Sequence, residues 1–129
     1  MKQTFVINGS LEGYNEHEKK RRGNPYAANN RKARTENSIA WHIRAAKMQP
    51  VSSPQWVMIE WHEDVSGRKR GRDPDNIASR KKFILDALQK TKVLPNDNRK
   101  WIAGFTDRFV YEKAPAKVIV TMADYLEEE

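Results

Sequence analysis

Apolar and polar positions alternate with a period of two in several stretches of the chain. Thr4-Phe5-Val6-Ile7 is the first, and a strand there ends at Asn8-Gly9, a pair with turn chemistry. Gln55 to Trp61 sets Val57, Ile59 and Trp61 against Trp56, Met58 and Glu60. Large apolar groups on both sides predict a central strand. Trp101 to Tyr111 reads as a third strand. Lys117 to Met122 reads as a fourth, with Val118, Val120 and Met122 on one face. Between these two, Lys113-Ala114-Pro115 predicts a hairpin connection.

Elsewhere the period lengthens to that of a helix. Glu36 to Lys47 carries Ile39, Ile43 and Ala46 as one apolar stripe, which Trp41 and Ala45 widen. Pro50, Ser52, Ser53 and Pro54 then break the chain. A second helix is predicted from Asn76 to about Thr91, with Ile77, Ile84, Leu85 and Leu88 at helical spacing and Lys90 and Lys92 near its negative dipole end. Residues 10–35 are polar and highly charged, which predicts a flexible basic loop region with room for the start of a helix. The order β-α-β-α-β-β points to an α/β (α+β) fold. It is a small mixed sheet of about four strands with two helices packed on it, in a single domain spanning residues 1–129.

Composition narrows the function classes. Of 129 residues, 38% are hydrophobic and 32% charged, so the core is small and a subunit interface would help to bury apolar surface. Cysteine is absent, which removes disulfides, thiolate zinc sites and a cysteine nucleophile. His17, His42 and His62 are scattered without the pairing of a zinc site. No signal peptide or membrane-spanning apolar run occurs, which makes the cytoplasm the expected location. The four tryptophans, 41, 56, 61 and 101, suit a core better than base stacking.

The net charge of +7 is clustered. Lys19-Lys20-Arg21-Arg22, Arg31-Lys32 with Arg34, Arg68-Lys69-Arg70 with Arg72, and Arg80-Lys81-Lys82 all precede residue 83. Clustered cations on a chain of pI about 9.7 predict a nucleic-acid partner.

Within this basic context, Arg72-Asp73-Pro74-Asp75-Asn76-Ile77 brings two carboxylates together. Pro74 biases Asp73 towards extended backbone. Asp75 is expected at the helix N-cap. A wheel of about 100° per residue puts Asp75, Ser79, Lys82 and Asp86 on one stripe, opposite Ile77, Ile84 and Leu88.

This stretch, the Lys82-Phe83-Ile84-Leu85-Asp86-Ala87-Leu88 helix and the Val93-Leu94-Pro95-Asn96-Asp97 loop together resemble the signature of the RusA-like Holliday-junction resolvases. That signature reads Arg-Asp-x-Asp-Asn-Leu, a helix ending in Asp-Ala-Leu, and an aspartate pair in the next loop. The resemblance covers residues 72–97. It implies metal binding by Asp73, Asp75 and Asp97, a catalytic lysine, and cleavage of branched DNA by a homodimer. Two departures stand out. Ser79 occupies the usual lysine position, four residues after the second aspartate, and the helix is about one turn longer. Counting back from Asp86-Ala87-Leu88 makes Lys82 the candidate lysine instead. Asn96 stands first in the aspartate pair and, lacking a charge, serves at most as an outer group.

The implied chemistry is consistent with those residue types. Mg²⁺, with Mn²⁺ as a substitute, prefers oxygen ligands and keeps several waters. A nuclease needs such an ion to activate water and to neutralise phosphoryl charge. Because Asp97 follows the helix in sequence, either its loop folds back or a neighbouring subunit completes the site. The expected DNA-contacting residues are Lys19, Lys20, Arg21, Arg22, Arg31, Lys32, Arg34, Arg68, Lys69, Arg70, Arg72 and Lys81. A four-way junction matches a symmetric dimer with two sites. A nuclease for flaps or single strands and a non-catalytic branched-DNA-binding protein are the alternatives.

Overall fold

The computed structural model describes residues 1–9, 25–67, 73, 74, 77 and 79–125, with backbone alone for 25–31. Among the described residues six elements follow in order: β1 (Lys2–Asn8), α1 (Pro25–Ala45), β2 (Gln55–Asp64), α2 (Lys81–Lys90), β3 (Ile102–Glu112) and β4 (Lys117–Ala123). The four strands form one mixed sheet in the order β1-β4-β2-β3. β4 runs antiparallel to both neighbours, whereas β2 and β3 are parallel and joined through α2. β2 is central, as its two-sided apolar pattern implies.

Alternation decides which face is covered. Phe5, Ile7, Val57, Ile59, Trp61, Val118, Val120 and Met122 are all buried, and they share one core with Ile39, Ile43, Ile84 and Leu88 from the helices. On the other face Trp56 lies so close to Gly104 that a Cβ added there would meet its ring at 2.3 Å. Any larger residue at that point of β3 would require the Trp56 ring to shift. Among the described residues, no helix is long and apolar enough to cross a membrane.

Four expectations are corrected. First, residues 25–35 are helical, so α1 begins eleven residues before the predicted start. Pro25 suits a first helical position, and no glycine or proline interrupts residues 26–49. Charge density alone does not prevent a helix. Residues 10–24 of the expected loop lie outside the described residues. Second, α1 buries Ile39, Ala40 and Ile43, while Trp41 is 66% exposed and Ala45 and Ala46 are also exposed. Third, β3 and β4 do not form a hairpin: β2 lies between them, and residues 113–116 cross to its other side.

Fourth, the second helix is interrupted. Pro74 and Ile77 are helical, Ser79 and Arg80 form a turn, and α2 starts at Lys81 with Arg80 as its N-cap residue. The Ile77 N–H donates to the Asp73 carbonyl at 3.0 Å. Asp73 therefore precedes the first helical turn, with Pro74 in the first position that proline favours. The expected stripe through Ser79, Lys82 and Asp86 is interrupted by this turn, and its first member, Asp75, lies outside the described residues.

Candidate active site

The last turn of α2 determines where Asp97 goes. Lys92 has φ +63. Its N–H donates to the Gln89 carbonyl, and the Val93 N–H donates to the Leu88 carbonyl, both at 3.0 Å. This pair of bonds is a Schellman ending, which reverses the chain. Val93 and Leu94 then enter the core. The Val51 N–H bonds to the Val93 carbonyl at 3.0 Å and ties the returning strand of chain to the segment before β2. The loop thus runs back along the helix.

Its destination is the first turn of α2. Lys82 Nζ lies 3.4 Å from Asp97 Oδ2 and 3.3 Å from Asp86 Oδ1. The Lys82 side chain remains 55% exposed, so a ligand can reach it. The Asp86 carboxylate raises the Lys82 ammonium above the usual lysine value, against the opposing effect of burial, and Asp97 adds to the rise to a lesser degree. Asn96 supports this arrangement, since its side-chain oxygen accepts the Asp97 N–H at 2.8 Å. The lysine and Asp97 meet within one subunit.

The neighbouring cations of the same run also take carboxylate partners. Lys81 Nζ is 2.6 Å from Asp107 Oδ2 on β3 and 4.4 Å above the Phe105 ring. The second Asp107 oxygen accepts the Trp61 indole N–H at 2.9 Å. Arg80, only 1% exposed, places Nη1 4.0 Å from Oε2 of buried Glu63 on β2. Arg80, Lys81 and Lys82 thus engage acids from three different elements. Lys81, grouped by sequence with the DNA-contacting cations, has its charge engaged inside the fold.

Asp73 is exposed at the entry to its helical turn. Its charge and that of Glu63 are both felt by Tyr111 on β3. The Tyr111 phenol is raised above its ordinary value by partial burial first, then by Glu63 and Asp73. Asp73 and Asp97 offer only carboxylate oxygens, the donor chemistry of a hard divalent cation. Among the described residues no group of three or more His, Cys, Asp or Glu side chains forms a metal cluster.

Asp75, the third expected ligand, lies outside the described residues, as do Lys19, Lys20, Arg21, Arg22, Arg68, Lys69, Arg70 and Arg72. Arg31 lies in α1. Lys32 and Arg34 are exposed on the same helix, and Lys32 makes a loose 3.9 Å pair with Glu36. Sequence reasoning missed Glu63 and Asp107, and it counted Arg80 among the clustered cations that predict a nucleic-acid partner, whereas its side chain is buried. Glu63 was within reach: it continues the inward phase of Val57, Ile59 and Trp61 by one more step.

No protein-family model matches this chain, and no curated protein matches it.

Proposed function

We propose that this chain is a Mg²⁺-dependent, structure-specific endodeoxyribonuclease that resolves four-way DNA junctions by hydrolysing paired phosphodiesters, in recombination and repair. The observation that carries the reading is the return of Asp97 to Lys82 at 3.4 Å. It unites, within one subunit, two elements of the resolvase-like signature that are separated in sequence.

On this reading Asp73, Asp75 and Asp97 hold the cation, whose chemistry is to neutralise phosphoryl charge and to favour a nucleophilic water. Mn²⁺ serves in its place. Lys82 supplies a fixed positive charge for phosphate oxygens as negative charge develops there. Asn96 orients the Asp97 backbone. Lys19 to Arg22, Arg31, Lys32, Arg34 and Arg68 to Arg72 grip the DNA backbone, so specificity rests on branch shape more than on base sequence. The enzyme works in the cytoplasm as a homodimer, presenting one site to each of the two equivalent strands.

Cleavage of a four-way junction, a flap and a linear duplex, with and without Mg²⁺, tests the proposal. Paired, metal-dependent nicks confined to the junction support it. Preference for the flap points to a different branch nuclease. Binding without cleavage under any metal overturns the catalytic assignment. Sedimentation is expected to give about twice the 15.0 kDa chain mass.

A further inference from the structure

Arg80 occupies a costly position. Its side chain is sealed in the core, yet Nε and Nη2 have no hydrogen-bond partner among the described residues. These two nitrogens form the side-on fork of the guanidinium, its most directional donor edge. The remaining nitrogen, Nη1, faces Glu63 at 4.0 Å, and Glu63 is itself 6% exposed. A buried charge pair of this kind seldom stabilises a fold better than apolar side chains of the same size. Buried donors without partners call for an explanation other than stability.

The location of the pair supplies one. Arg80 lies between the two helical pieces that carry the candidate site. On its N-terminal side, the Arg80 N–H donates to the Ile77 carbonyl at 3.1 Å, and the Ile77 N–H donates to the Asp73 carbonyl. On its C-terminal side, the Arg80 carbonyl accepts the Phe83 N–H at 3.1 Å at the start of α2, the turn that bears Lys82. Glu63 projects from the far end of the central strand, in register with Tyr111. The side-chain pair therefore links the junction of both pieces to the central strand.

We propose that Glu63 and Arg80 are the positioning pair of the candidate site, fixing to β2 both the turn that carries Asp73 and the helix start that carries Lys82. Neither residue needs to touch substrate. Losing Glu63 leaves the buried Arg80 charge without this partner, whereas losing both removes that charge and the anchor together. The catalytic part of this role rests on the nuclease reading; the anchoring part does not.

Amide hydrogen exchange, thermal unfolding and junction cleavage test the pair in full-length protein. Glu63→Gln and Arg80→Met are each expected to lower Tm by about 10 °C, and the double variant to recover most of that loss. In the double variant the Ile77 and Phe83 amides are expected to exchange roughly tenfold faster than in wild type, with Ile59 and Val120 in the sheet unchanged. Its kcat falls about tenfold at unchanged KM, and Glu63→Asp restores part of the activity lost in Glu63→Gln. If a single variant fails to fold, the double variant carries the test.

Wild-type exchange and wild-type kcat in the double variant would overturn the proposal and leave the pair as packing. Faster exchange spread evenly over the sheet would overturn it too. If wild-type protein cleaves no branched DNA, the nuclease reading fails while the exchange at Ile77 and Phe83 still decides the anchor.

Discussion

Lys82 reaches across fifteen residues of sequence to place its ammonium 3.4 Å from the Asp97 carboxylate. The contact exists because the chain reverses at Lys92 and returns along α2. It also completes a pattern. Three consecutive cations at the start of α2 meet carboxylates from β2, from β3 and from the loop after the helix. A helix N-terminus is already electropositive, so three cations beside it need that compensation. In Lys82 alone of the three is the side chain more than half exposed.

Lys82→Ala is expected to reduce turnover on a junction by roughly tenfold or more, with Tm and junction affinity little changed. Lys81→Ala should behave in the opposite way. Losing its bond to half-buried Asp107 destabilises the fold by about 1–2 kcal/mol, a Tm shift of several degrees, with little effect on turnover at low temperature. Kinetics and calorimetry on both variants check the contrast. Equal, small effects on turnover would leave the site without an assigned lysine.

Asp73→Asn, Asp75→Asn and Asp97→Asn should each abolish cleavage while keeping junction binding. In the absence of metal, binding should tighten, because a negative charge near phosphate is removed. Gel-shift and cleavage assays on the same preparations separate the two effects. Joint loss of binding and cleavage in a folded variant would count against a metal-binding role.

Junction affinity is expected to fall with salt at a log–log slope of roughly −0.9 per neutralised phosphate. Neutralising Lys19, Lys20, Arg21 and Arg22 together should flatten the slope. Lys81→Ala should leave it unaltered, since that ammonium is held by Asp107. Titrations at several salt concentrations measure both slopes.

The Tyr111 phenol should titrate above the ordinary tyrosine range, because burial and the Glu63 and Asp73 carboxylates disfavour its anion. Removing one negative charge must lower that value, so Asp73→Asn should shift the phenolate absorbance transition to lower pH. A folded-state value above the unfolded one means stability is intact below about pH 10 and declines as pH rises through the folded-state value. Ultraviolet titration of the wild-type and Asp73→Asn proteins reads the shift. No movement would place the Asp73 carboxylate away from β3.

The strands were legible because period-two alternation follows directly from burial on one face: Phe5, Ile7, Val118, Val120 and Met122 are all in the core. The early start of α1 was not, since its first turns carry charge and asparagine and no apolar stripe. Nor was the turn at Ser79 and Arg80. Ile77 and Ile84 are buried on either side of it, so periodicity bridges the break. That break explains why the two ways of counting to the lysine disagree. The forward count from Asp75 ends at Ser79, in the turn itself, whereas the backward count from Asp86 stays within α2. The chain reversal after α2 was hidden for another reason: a lysine holds the left-handed position where a sequence signal would be glycine. Asp73 and Asp97 were singled out by motif, but Glu63 lay beyond the predicted end of its strand.

The place of β4 bears on how the molecule is made. It is the last of the four strands in sequence yet lies between β1 and β2, so neither of those gains its shared neighbour until Ala123 has been synthesised. Before then β1 has no hydrogen-bonded partner in the sheet, and one edge of β2 is open. Contacts that span most of the chain make for slow folding, and open strand edges on a nascent chain invite mispairing. The emergence of β4, more than the growth of any earlier segment, is therefore the event that closes this sheet.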